Sequence, residues 1–398
     1  MHGELKKYMG ELYVKVIIFV FVISPVIIAV LSVKSFSTVK SVEDSQLLRG
    51  TEAISKERER YQYVRGVLDQ EKLNEALYYY QSISLEDIAY VELGIKYPGI
   101  VDLLYEAYTN VYGEGNHNLY DLKNANNFYS QNTEQIEKIF EQQPQEYTEW
   151  EQQIALSRAE KVRAPFYIEF SRQWKIAIKN IGILLLIYSI AIILIGTNSF
   201  AYEKEKNMEL ILATLDTKKL YTMGWQKIKT FLLFISVMYF VMVAIYSVVY
   251  FFMTGFSGWK SPIQIEYFTI IYNITFLQAY LLIIFTGWIC SMAIGMVIVV
   301  LNSFLQSVYS TLAVGFLLIY SPLIISKFSI VPNGLKTFMR LQPVNALMTE
   351  KLLVSLHSQK FLSISIPEGV FLLICSIFII GISVLVVPKF FSFRINRE

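Results

Sequence analysis

Six apolar runs, each long enough to cross a hydrocarbon core of roughly 30 Å as a helix, constrain this chain more than any other feature. They fall at about Tyr13–Val33, Ile181–Thr197, Phe231–Met253, Leu277–Val300, Ser307–Ile325 and Gly369–Val387. With 54% of its residues hydrophobic, the chain is neither disordered nor an ordinary soluble domain. The first run is too long and uniform for a signal-peptide core and lacks a small-residue cleavage site, so it reads as a retained anchor in which Pro25 introduces a kink. The uncharged stretch Tyr267–Ser326 exceeds one helix, and Asn302-Ser303-Phe304-Leu305-Gln306 supplies the turn that divides it. The fold class expected is an all-α membrane protein with six transmembrane helices and a large, mainly helical extracellular domain between helices 1 and 2.

The intervening segments complete the organisation. Residues 1–12 place Leu5, Tyr8, Met9 and Leu12 on one helical face, as a cytoplasmic interfacial helix would. Residues 13–33 form the first span and 34–179 the extracellular domain. Residues 180–398 hold the other five spans, with a cytoplasmic helical loop at 198–230 and an outer re-entrant segment at 327–366. In the insert, SKERERYQYVRGVLDQEKLNEALYYYQSI, YPGIVDLLYEAYTNVY and TEQIEKIFEQQ are helical in composition, whereas NHNLYDLKNANN is a loop. The insert helices are expected to continue upward from the first and second spans.

Charge sets the orientation. The 198–230 island carries six lysines and the tail carries Lys389, Arg394 and Arg397, which the positive-inside bias assigns to the cytoplasm. Between residues 35 and 179 there are 23 acids against 16 bases, and elsewhere 10 against 19. The insert is therefore acidic and external, and no basic nucleic-acid footprint exists. The bases Lys327, Lys336, Arg340, Lys351 and Lys360 run against this rule and are accommodated if Leu335–Leu356 forms interfacial or re-entrant helices. The chain reads as a multi-pass plasma-membrane protein with both termini inside. Its Lys/Asn/Ile/Tyr usage fits a low-GC Gram-positive bacterium.

Enzymatic chemistry is not visible. Gly255–Ser261 (GFSGWKS) lacks phosphate-loop spacing, the histidines His2, His117 and His357 are scattered, and no catalytic or metal residues are assigned. The two cysteines, Cys290 and Cys375, sit inside apolar runs. Apart from Lys15 at the start of the first, the apolar runs contain no Asp, Glu, Lys or Arg, so no charge at mid-membrane binds a coupling ion. Any pathway is uncharged and aromatic, with Tyr188, Tyr239, Tyr246, Gln278 and Pro343 as pathway or gate candidates. Gly287, Gly295 and Gly315 are expected at helix-packing positions. Energy for transport then enters from outside the chain. Within the island Met208, Ile211, Leu212 and Leu215 recur at helical spacing, giving a stripe on which a soluble partner can dock.

Glu203-Lys204-Glu205-Lys206-Asn207-Met208-Glu209, followed by Leu212 and Thr214, resembles the cytoplasmic coupling helix of ABC-2 type exporter permeases, with Lys227 or Lys229 as the base entering the next span. The Gly-Thr of that pattern is absent here, the segment is one residue shorter, and Leu215-Asp216 stands where proline is usual. GWICSMAIGMVIVVLNSFLQSV is similar to the hairpin of the fourth and fifth spans, and Leu341–Leu347 to the outer re-entrant helices. The likeness covers the chain except the insert. It implies a permease pairing with a second permease, identical or a sibling, and with two ATP-binding subunits that carry ATP and magnesium, while this chain binds no cofactor. It also implies that Glu203, Glu205, Lys206, Glu209 and Leu212 meet the ATPase. The cargo expected is apolar or amphipathic: an antimicrobial peptide, drug or lipid-linked molecule. The alternatives are a membrane-spanning sensor or immunity protein with a ligand-binding ectodomain, and a sodium-exporting permease.

This topology predicts that Lys204 and Lys218 react with a membrane-impermeant amine reagent only after cells are opened. Labelling in intact cells would reverse the orientation.

Overall fold

The computed structural model describes residues 2–42, 44, 46–84, 86–109, 119–326, 331–362 and 364–395. His117, Lys327 and Arg397 lie outside them. Six helices are long and apolar enough to cross a membrane, and each contains one of the six apolar runs almost whole. They are α2 (Leu12–Ser35), α9 (Arg172–Gly196), α12 (Thr217–Thr254), α13 (Phe276–Leu305), α14 (Val308–Ile325) and α17 (Glu368–Ile395), with α1 (His2–Gly10) ahead of the first. At 1.5 Å per residue α12 is about 57 Å long. It starts well before its apolar run and carries Lys227 and Lys229 inside one continuous helix. Gly287 lies where α13 meets α9: a Cβ there would stand 2.9 Å from the Leu185 methyls, so a larger residue would make that side chain shift.

The insert is mainly helical: α3 (Thr51–Val64), α4 (Gln70–Gln81), α5 (Glu86–Lys96), α6 (Ile100–Tyr108), α7 (Gln131–Gln142) and α8 (Glu149–Ala159). Its base differs from expectation. The first span does not continue upward, because α2 stops at Ser35 and Phe36 is extended. Two short antiparallel pairs stand there instead, β1 (Ser37–Val39) with β2 (Leu47–Arg49) and β3 (Gly66–Leu68) with β4 (Phe166–Ile168). The second pair ties the beginning of the insert to its end. It interrupts the long helical stretch at Gly66, whose φ of 133° suits glycine, and α4 restarts at Asp69, which accepts the Lys72 N–H at 2.9 Å.

The remaining elements are α10 (Ala201–Glu205) and α11 (Glu209–Ala213) between α9 and α12, then α15 (Asn333–Arg340), a 3-10 turn (Pro343–Leu347), α16 (Thr349–Val354) and the hairpin β5 (Ser358–Phe361) with β6 (Ile364–Pro367). Connectivity places the last group at the same end of the bundle as the insert, and α10–α11 at the other. Polar contacts clamp the insert to that end. Asn132 and Arg58 donate to the carbonyls of Phe268 and Thr254. Glu151 of α8 accepts from Thr148 and lies 3.1 Å from His357 Nδ1. Arg340 bridges His357 to Glu368 at the start of α17. Burial alone would raise the Glu151 carboxyl, but the hydrogen bonds from His357 and Thr148 outweigh it and hold it at about 2.

Glu266 sits in the same seam. It accepts from Ser171 Oγ at 3.1 Å and faces Lys175 at 3.8 Å. Burial pushes its carboxyl up to about 7, although Lys175 and Ser171 oppose the rise. A carboxyl whose folded pKa is raised stabilises the fold fully below the ordinary carboxylate range and loses that contribution as pH climbs through 7. The solubilised protein is therefore expected to melt at a lower temperature at pH 8 than at pH 5. Glu266→Gln should flatten that profile, leaving the smaller share that the raised Glu57 and Glu106 carboxyls contribute in the same sense. An unchanged slope in the variant would remove Glu266 from the account.

Candidate functional site

The segment between α9 and α12 is an elbow rather than one amphipathic helix. Two features break it. Asn207 adopts φ 53°, a left-handed conformation that asparagine tolerates better than most residues, and it closes α10. Asp216 is extended and precedes α12.

The inner side of the elbow is built from polar groups. Lys227 Nζ on α12 donates to Glu203 Oε1 at 2.5 Å and to the Ser199 carbonyl at 3.0 Å. Both side chains are buried, at 1% and 6% exposure. The ammonium also lies 5.0 Å from the Phe200 ring centre and 5.7 Å from that of Phe391 on α17, within cation–π range. Asn302, fully buried near the end of α13, accepts the N–H groups of Phe200 (2.7 Å) and Ala201 (3.0 Å). Its amide donates to the Thr197 carbonyl and to Thr311 Oγ1 on α14. Tyr8 of α1 hydrogen-bonds Ser199 at 3.0 Å, Tyr13 of α2 accepts from Asn198, and Arg394 of α17 donates to the Ser303 carbonyl. Residues 197–203 thus contact every one of the six long helices, directly or through one side chain.

The expected docking residues separate accordingly. Glu205 and Lys206 are exposed, together with Met208 and Ile211. Glu203 is a correction: it turns inward because Lys227 would otherwise be a buried, uncompensated charge. Leu212 is a second correction, buried at 5% exposure in the hydrophobic core on the α17 side of the elbow, and the apolar stripe divides between inside and outside. The side chain of Glu209 lies outside the described residues.

The pathway candidates are each engaged within the chain. Tyr188 donates to the Ile235 carbonyl, Tyr239 to that of Ile284 at 2.6 Å, and Tyr246 accepts from Asn180 at 2.8 Å. All three are fully buried and staple helices together within this chain. Gln278 is exposed and caps α13, its carbonyl oxygen accepting the Thr275 N–H at 2.9 Å. Pro343 is buried at the first turn of the 3-10 element. The sequence places Asn302 in the turn between spans, whereas α13 continues through it to Leu305. The only signal was an amide in an otherwise apolar helix.

Among the described residues no group of three or more His, Cys, Asp or Glu side chains is arranged to hold a metal ion. No protein-family model matches the chain, and neither does any curated protein or solved structure.

Breaking a buried ion pair by removing one partner costs about 3–5 kcal/mol, whereas replacing both by apolar groups is often neutral. Lys227→Met and Glu203→Gln are each expected to lower the melting temperature of the solubilised protein sharply, and the double variant Glu203→Leu/Lys227→Met to recover most of it. A double variant no better than the singles would deny the pair its structural role.

Proposed function

We propose that this chain is the membrane-spanning subunit of an ATP-driven exporter of the ABC-2 type, in which a separate ATPase seats on the elbow at 198–216. The observation that carries this reading is the two-sidedness of the elbow. Its outer side presents Glu205, Lys206, Met208 and Ile211 to solvent. Its inner side is fixed to α12 and α13 through Lys227–Glu203 and Asn302. A mixed charged and apolar surface backed by buried polar bonds transmits a push, where a flexible loop would absorb it. The uncharged apolar stretches of the spans support an external energy source, because no buried charge in them can bind a coupling ion.

In this reading the elbow, α1 and both termini are cytoplasmic and the insert is extracellular. The assembly contains a second permease and two ATP-binding chains, which hold ATP and magnesium. The cargo is amphipathic or apolar, in keeping with spans whose polar groups are largely consumed by helix packing.

The test is co-purification. The tagged chain is expected to bring down a P-loop ATPase in comparable amount, and Glu205→Lys/Lys206→Glu with Ile211→Asp should reduce that recovery at least tenfold while membrane insertion is unchanged. Glu203→Gln should instead lower stability before it lowers association. Full ATPase recovery with the elbow surface reversed would dismiss this seat.

A further inference from the structure

The seam between the insert and the spans holds a half-open chamber of about 1460 Å³, larger than the 300–1,000 Å³ of ordinary small-molecule sites. One wall is α3, α5 and α6; the other is the first turn of α9 and the loop that follows α12. We propose that this chamber binds a lysine- or arginine-bearing amphipathic peptide segment. The assignment does not rest on the exporter reading, since it concerns the opposite end of the molecule.

The charges within the chamber decide the ligand class. Its three basic residues are already engaged. Arg172 pairs with Glu57 at 2.9 Å. Arg60 is spent on Thr38 Oγ1 and the carbonyls of Val39 and Lys40. Lys175 donates to the Glu266 carbonyl at 3.0 Å and faces its carboxylate. Two carboxylates remain, Asp102 and Glu106, one turn apart on the same face of α6. Each is held by one hydrogen bond: Asp102 Oδ1 accepts from the Tyr90 hydroxyl at 2.7 Å, and Glu106 Oε2 from the Phe268 N–H at 3.0 Å. Among the described residues neither has a basic side chain within ion-pair distance, and Asp102 Oδ2 and Glu106 Oε1 take no protein hydrogen bond. Burial raises the Glu106 carboxyl, although the Phe268 N–H and the charge of Lys175 oppose the rise.

The surroundings suit a cation with an apolar body. Tyr90 and Tyr105 line the chamber beside the carboxylates and supply aromatic surface of the kind an ammonium or guanidinium packs against, while charge-assisted hydrogen bonds to the two oriented carboxylates fix it. Val91, Val101, Ile176 and Ile265 supply apolar wall between them. A free metal cation would use none of this surface. The acid excess of the surrounding insert draws such a peptide in from a distance.

The test uses the full chain in phosphatidylcholine nanodiscs, with empty discs as baseline. The probe is a fluorescein-labelled decapeptide of alternating lysine and leucine, read by anisotropy, with a glutamate–leucine decapeptide as control. Saturable binding of the lysine peptide alone is expected. Asp102→Asn/Glu106→Gln should weaken it at least tenfold, which corresponds to 1.4 kcal/mol or more. The pair Glu71→Gln/Glu137→Gln, likewise exposed but elsewhere on the insert, should leave it unchanged. Should the chamber double variant fail to fold, the single variants Asp102→Asn and Glu106→Gln must each weaken binding. Equal loss from the surface pair, equal binding of both peptides, or binding indifferent to the chamber variants would each overturn the proposal, leaving only diffuse acidity. Loss of ATPase association by the elbow variants bears on the exporter alone, so the two readings fail separately.

Discussion

The buried contact between Lys227 and Glu203 dictates more of this structure than any apolar cluster does. A lysine one-hundredth exposed in a helix rooted in the bilayer needs an acceptor nearby. That requirement folds the chain leaving α9 back against α12 instead of letting it run free. Once it is folded back, the backbone N–H groups of residues 200 and 201 face inward and would be orphaned without Asn302. The amide of Asn302 then reaches Thr197 and Thr311, which sets α14 against α9. One electrostatic demand thus propagates, by successive satisfaction of polar groups, into the arrangement of four helices.

The rest of the membrane region is held differently. Its middle is assembled from rings and close approaches: Tyr188 against Phe21 and Tyr239 at 5.4 and 5.3 Å, and Gly287 against Leu185. The tyrosine hydroxyls donate to helix carbonyls because, with no water in the hydrocarbon, an unsatisfied hydroxyl there is costly. Such contacts are specific in geometry and use up the hydroxyls, so tyrosines scattered through the apolar runs act as staples between helices.

What was readable in the sequence follows the range of the information. Span identity is the sum of some eighteen or more neighbouring residues, and each apolar run lies within a single helix. Helix α6 after Pro98-Gly99 and helix α7 rest on local propensity and were equally legible, whereas the turn at Asn207, inside a segment that reads as one helix, was not. Non-local pairings were not. Nothing near Gly66 shows that it will meet Ile168 across a hundred residues, and nothing near Glu203 shows that a lysine 24 positions on will pull it inward. Charged residues in a loop are read as solvated by default, and at Glu203 that default fails because tertiary context overrides it. The chamber was legible only as a bias, the acid excess of the insert. The three cation pairings that leave Asp102 and Glu106 over exist only in the folded chain.

The two sites share their boundary helices. α9 begins at Arg172 and Lys175 in the chamber wall and ends, about 37 Å away, beneath the amide of Asn302. α12 begins beside the elbow and ends where Arg58 of the insert holds the Thr254 carbonyl. A rigid middle with exchangeable polar contacts at both ends is the distribution that rigid-body tilting requires, since packed interiors switch between discrete arrangements and do not deform smoothly. The bonds available to exchange are identifiable. At one end they are Lys175–Glu266 and Arg172–Glu57, partly exposed and easily re-paired with a cationic occupant. At the other they are Lys227–Glu203 and the Asn302 bonds, buried and costly to break. Movement started at the elbow should therefore carry α9 and α12 as intact rods and appear as re-pairing in the seam.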